Sequence, residues 1–158
     1  MSFIFGFIVA LVIISLAGAL FMGRMGKFFF LQNKSRLNFE DTPQTIRKNI
    51  DANTRGWFTE SEKDFNLAYQ KKHKGELPFR LTVFKIGNSD HSYRVNSAFP
   101  AVATFMPAAI AVVGRKDGRV DIYRKNTGLM GLFFSGVVKE VMGNEVTVGM
   151  NEILDGVI

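Results

Sequence analysis

The chain has 158 residues, 47% of them hydrophobic, a formal net charge of +6 and no cysteine. The absence of thiols excludes disulfides, thiolate metal sites, haem attached through paired cysteines and thiol catalysis, and it leaves the redox compartment open. A basic surplus beside an apolar terminus is accounted for by attraction to anionic lipid, so nucleic acid is not an expected partner.

Met1 to Gly23 carries no charged side chain, and Phe3 to Met22 is almost wholly apolar. A helix of about 20 such residues crosses a hydrocarbon core of about 30 Å, so residues 1–23 are expected to form a transmembrane helix. A cleavable signal would have a basic start and a shorter apolar core; only the Ala17-Gly18-Ala19 cluster favours cleavage. Arg24, Lys27, Lys34 and Arg36 all precede the first acidic residue, Glu40. The positive-inside rule therefore predicts a single-pass protein of the inner (cytoplasmic) membrane with its C-terminal domain in the cytoplasm. Ser15, Ala19 and Gly23 recur at i, i+4 and i+8, and Gly6 with Ala10 repeats the spacing, giving stripes against which a partner helix can pack. Residues 24–37 read as a juxtamembrane segment. In it Phe28, Phe29 and Phe30 sit in the acyl edge while Arg24, Lys27, Lys34 and Arg36 reach the headgroups.

Residues 38–158 are expected to form one α+β domain, a small antiparallel sheet with packed helices, and about 120 residues suffice for its core. Asp41 or Thr42 caps a helix with Pro43 in its first turn, Ile46 and Ile50 facing inward, and a stop at Gly56. Thr59 and Glu62 have capping-box spacing, which predicts a second helix through Phe65, Ala68 and Tyr69 to Gly75. Lys71-Lys72-His73-Lys74 suits the negative end of its dipole. Phe79 to Ile86 alternates as a strand, with Phe79, Leu81 and Val83 on one face and Thr82, Phe84 and Ile86 on the other. Gly87-Asn88 breaks it, Ser89 or Asp90 caps a short helix carrying His91, Tyr93 and Val95, and Asn96 to Pro100 is loop. Ala108 to Val113 and Arg119 to Arg124 flank Lys116-Asp117-Gly118, a hairpin signal. Leu129 to Met142 predicts a buried or interfacial helix too short and too glycine-broken to cross a bilayer. Asn144 to Ile158 predicts a last helix with Val146, Met150, Ile153 and Leu154 inward.

The order of these elements carries a resemblance. A helix ending in Gly56-Trp57-Phe58, the stretch LTVFKIGNSDHSYRV and then FMPAAIAVVGRKDGRVDIYRKN resemble the bacterial family called domain of unknown function 302, over about residues 38 to 143. The resemblance implies a compact α+β fold in which a strand, a short helix and a Leu-Pro followed by a hairpin recur; Met106-Pro107 stands in the Leu-Pro place. It also implies cysteines after the first strand and just after the Leu-Pro, where this chain has Gly87 and Ala108. Any thiol or metal role those cysteines serve is absent here.

Candidate chemistry is sparse. No Ser-His-Asp order, H-E-x-x-H, phosphate loop or dinucleotide fingerprint occurs, so no enzyme activity is expected. His91, at a loop-to-helix junction, is the candidate haem ligand or general base, with Tyr93 and Met106 as companion ligand-binding candidates. One histidine without convergent ligands does not make a metal site, and packing accounts for the methionines without copper. The leading expectation is a non-catalytic accessory or assembly subunit of a larger membrane complex, respiratory or electron-transferring, touching other subunits through its transmembrane helix. The alternative is a membrane-tethered small-ligand or haem-binding module with its pocket between the strands and Met106-Pro107. No cofactor is expected under the first reading.

Overall fold

A computed structural model describes residues 26–158 together with Gly6, Phe7 and Gly18. Most of the predicted span, including Ala10, Ser15, Ala19 and Gly23, and the interfacial Arg24 lie outside the described residues. Among the described residues no helix is long and apolar enough to cross a membrane.

The described residues form a five-stranded antiparallel sheet in the order β1-β5-β4-β3-β2. β1 is Phe30–Lys34, β2 Trp57–Asp64, β3 Arg80–Asn88, β4 Ala108–Gly114 and β5 Val120–Lys125. Alternation sets the core face: Phe84 and Ile86 of β3, Ile110 and Val112 of β4 and Ile122 of β5 are fully buried. Helix α1, Asp41–Asp51, lays Ile46 and Ile50 on that face, and each such burial contributes about 1.5–3 kcal/mol. Its start is held by Asn38, whose Oδ1 accepts from the Asp41 amide at 2.8 Å. Gly56 takes a positive φ of 80° between α1 and β2, a conformation that costs glycine little.

Four expectations are corrected. The juxtamembrane stretch is in part a strand: Phe30 pairs with Lys125 and Lys34 with Asp121, so β1 completes the sheet edge and leaves Phe30, Lys34 and Arg36 exposed. Trp57–Asp64 is not a capped helix but strand β2, paired from Trp57↔Asn88 to Asp64↔Thr82. Without it β3 would carry a row of unpaired amides and carbonyls, and a ladder outweighs one capping spacing. The helix follows later as α2, Phe65–Lys71, capped by Asp64, whose side chain accepts from the Leu67 amide. It stops before Gly75, because His73 takes the left-handed conformation that closes its end.

Third, β3 runs on through Gly87-Asn88, and Asn88 rather than Ser89 or Asp90 caps helix α3, Ser89–Ala98. A 3₁₀ segment, Pro100–Phe105, and a cis Met106-Pro107 bond lead into β4. Fourth, the apolar run from Leu129 is broken: α4 is Thr127–Gly131, α5 Gly136–Glu140, and a π-helical turn, Val141–Glu145, passes into α6, Val146–Ile153. The break lets α4 fold back on the π turn, where Gly131 has no room for a side chain; a Cβ there would lie 2.6 Å from the Gly143 Cα. Met150, Ile153 and Leu154 are buried against the sheet as expected.

Candidate functional site

Two apolar clusters share this domain. One lies between the sheet, α1 and α6, and includes Trp57, Ile86 and Met150; the other joins Val95, Val102, Met130, Val138, Val141 and Met142. Where they meet is a cavity of about 230 Å³, bounded by Trp57, Ile86, Val95, Met106, Val141 and Met150. Its lining also includes the exposed Phe58, Glu60, Ala103 and Phe105, so these residues frame its mouth.

Local structure fixes the polar side of this cavity. Asn88, buried at the end of β3, donates from Nδ2 to the Arg55 carbonyl at 2.7 Å and accepts from the His91 amide at 3.0 Å. That cap sets where α3 begins, and His91 in its first turn meets the Trp57 ring edge-on with centroids 5.4 Å apart. From the π turn, Glu145 comes within 3.1 Å of His91 Nε2. Arg94, one turn along α3, grips the same carboxylate at 2.8 and 2.9 Å and also lies 3.4 Å from Asp90. π turns add a residue to a helical turn and recur at functional sites; here the turn ends on the carboxylate that α3 holds.

The consequence is electronic. An ionised carboxylate only accepts, so His91 donates its Nε2 proton to Glu145 and in its neutral form keeps Nδ1 as a lone-pair acceptor. Burial pushes the His91 imidazole below its ordinary value and Arg94 adds to this, outweighing the upward pull of Glu145 and Asp90. The Arg94 hydrogen bonds hold Glu145 below the usual carboxylate range against its partial burial. Nδ1 of His91, Nε1 of Trp57 and Oδ1 of Asn96 are all buried without a hydrogen-bond partner, and all three residues line the cavity. Such atoms are rare in folded proteins, because each forfeits its hydration without a replacement.

Of the residues singled out in the sequence, His91 and Met106 line the cavity, whereas Tyr93 points to solvent, 74% exposed on the outer side of α3. The three therefore do not converge. Gly87 and Ala108, where the family resemblance implied cysteines, both lie on the cavity wall. The space a side chain at Gly87 would need is taken by Glu60 Oε1 and Phe58 Cζ, each 2.7 Å from the ideal Cβ position. Sequence reading missed Trp57, Asn96, Arg94 and Glu145 as site residues. Asp90 and Arg94 at i, i+4 were a local signal, but Glu145 lies 51 positions beyond Arg94, with no pattern to join them. Among the described residues no group of three or more His, Cys, Asp or Glu side chains is placed to hold a metal ion.

No curated protein matches this chain. Its fold is similar to the crystal structure of an uncharacterized conserved DUF302 protein from Bacillus stearothermophilus, with a TM-score of 0.67 and 16% identity over 81% of this chain and 97% of that one. Residues 31–157 match the family described as Domain of unknown function DUF302, which takes in all the strands but the first residue of β1. The chain belongs to the DUF302 family.

Proposed function

We propose that this protein is a membrane-tethered, non-catalytic binding module whose cavity takes a small, largely apolar ligand bearing a hydrogen-bond donor. The supporting observation is the apolar hollow itself, whose wall includes His91, Asn96 and Trp57, three residues that each hold a buried polar atom without a hydrogen-bond partner. An apolar hollow with a few convergent polar atoms is the usual form of a small-molecule site. The ligand's hydroxyl or amine belongs beside His91 and Asn96, whose acceptor atoms have no protein partner. The volume of about 230 Å³ favours a compact ligand over haem, since drug-sized molecules occupy pockets of about 300–1,000 Å³. Engagement of His91 Nε2 by Glu145 also argues against haem.

The tether is the apolar run Phe3 to Met22, with the inner membrane and a cytoplasmic domain following from Arg24, Lys27, Lys34 and Arg36. The accessory-subunit reading rests on the stripe of Ser15, Ala19 and Gly23, outside the described residues, on the apolar run Leu129 to Val138 and on the lack of catalytic motifs; the cavity favours the binding module.

Trp57 is the single tryptophan and sits on the cavity wall, so its emission reports occupancy. Full-length protein in detergent, titrated with 4-propylphenol, is expected to show a saturable change. His91→Phe is expected to weaken binding about tenfold, the equivalent of one hydrogen bond of about 1.4 kcal/mol. Ala108→Leu, which fills the hollow, is expected to abolish it. Equal affinity in all three proteins would overturn the proposal.

A further inference from the structure

The sheet has two unlike ends. At one, the β4–β5 hairpin turns through Arg115 to Arg119, a polar loop closed by the Arg115 amide donating to the Arg119 carbonyl. At the other, about 17 Å away along β5 at about 3.3 Å per residue, Lys125 pairs with Phe30 and apolar side chains face outward. Leu132 and Phe133 are each 67% exposed there, and Phe28, Phe30, Phe99 and Phe105 are exposed as well. These rings are joined into one surface. Phe29 and Phe133 have centroids 6.2 Å apart, and Phe134 bridges Phe99 and Phe105 at 6.3 Å to each. A monomer rarely shows water so large a contiguous apolar face unless something covers it.

We infer that this end of the domain is a bilayer-docking face, on which Phe28, Phe30, Phe105, Leu132 and Phe133 enter the lipid and seat the domain in a fixed orientation. Chain length commits the occupant. Only four residue steps separate Met22, the last of the apolar run, from Gly26, where the continuously described chain starts, and four extended residues span at most about 14 Å. Gly26 leads through Phe28 directly into Phe30, so a membrane holding Phe3 to Met22 must lie against this end and not the hairpin end. Charge agrees with this. Among the described residues Lys125 is the one ionisable side chain bordering the two apolar grooves of the face, no carboxylate borders them, and Lys27 precedes the face in the chain. Lys125 donates to the carbonyls of Phe105 and Pro107, which fixes its ammonium at the border of the face.

This inference rests on the proposed tether, and the test separates the two. The cysteine-free full chain permits single nitroxide labels at Leu132→Cys, Phe133→Cys and, as a hairpin control, Asp117→Cys, in vesicles of phosphatidylcholine and phosphatidylglycerol at 3:1. Flotation of the vesicles reports the tether. With the protein afloat, oxygen is expected to relax the labels at 132 and 133 at least threefold more effectively, relative to a water-soluble nickel chelate, than the label at 117. Equal nickel access at all three positions, with the protein still afloat, overturns the docking face and leaves the tether standing. Labels at 132 and 133 shielded from both reagents overturn it also, because a protein then covers the face. Protein that stays at the bottom of the gradient overturns tether and face together. Normal Trp57 emission in each labelled chain shows that the domain is folded.

Discussion

The two apolar clusters are built differently, and the difference separates a closed core from an open one. In the sheet cluster, Phe84, Ile86, Ile110, Ile122, Ile153 and Leu154 have no measurable exposure, since strands of five to nine residues and two helices of eight and eleven close over them. The second cluster is assembled largely from segments of five or six residues, the 3₁₀ turn, α4, α5 and the π turn. Elements that short cannot enclose a core from all sides. They leave a cavity beside Trp57 and turn Phe99, Phe105, Leu132 and Phe133 outward. Long regular elements thus hold the fold, and short irregular ones provide a hollow and a face.

The largest expected effect tests that division directly. Phe84→Ala should cost about 3–5 kcal/mol in urea unfolding, because the removed ring leaves a void in a cluster with no room to collapse. Met142→Ala, in the second cluster and beside an existing hollow, should cost about 2 kcal/mol, the low end for its type, because it forfeits fewer packing contacts. Equal losses would show that both clusters are equally closed. Next in size is Gly149→Ala. A Cβ there would stand 2.3 Å from Trp57 Nε1, so the indole must move. Overpacking of this kind costs about 1–3 kcal/mol, and a red shift of Trp57 emission should accompany it.

Legibility in the sequence followed the same division. Alternation in LTVFKI and the Asp-Gly between AAIAVV and RVDIYR gave three strands and their hairpin, and Ile46 and Ile50 gave the inner face of α1. These signals are local and regular. Strands β1 and β2 were hidden because edge strands are polar or carry few inward residues: Gln32 and Asn33 in one, Glu60 to Asp64 in the other. Their identity comes from the partner each one covers, and pairing across sequence leaves no mark in a short window. The site was half legible for the same reason. His91 stood out by type, but Glu145 depends on a π turn that no periodicity announces, and Trp57 looked like the end of a helix rather than the wall of a cavity.

A smaller effect concerns pH. Burial holds His91 below its ordinary value of 6.5 in the folded state, so the unfolded chain takes up this proton first. Its contribution to stability is therefore present above about pH 6.5 and is lost as pH falls through the lower, folded value. Glu145 does not confuse this window, because it too is depressed and its contribution goes only below its ordinary value of 4.5. Urea midpoints measured from pH 7.5 to 5 should fall in the parent protein and fall less in His91→Phe. Glu145→Gln should depress the His91 titration further, read by proton NMR, since it removes the charge that pulls the imidazole upward. A rise in the His91 value in Glu145→Gln would contradict the buried-pair geometry.

The smallest effect is the one that most sharply separates face from core. Leu132 is 67% exposed in the turn between α4 and α5, so truncating it removes little packing from the folded state. Leu132→Ser should change urea stability in detergent by no more than about 0.5 kcal/mol, the usual range for a surface position. Phe84 and Leu132 are both large apolar side chains of the same domain, and residue type alone would assign them similar costs. If Leu132→Ser is as damaging as Phe84→Ala, the aromatic end is a third part of the folding core and its exposure carries no message about what it touches. If it is silent, a leucine stands where folding has no use for it, and contact with an apolar phase outside the domain is what remains to account for it.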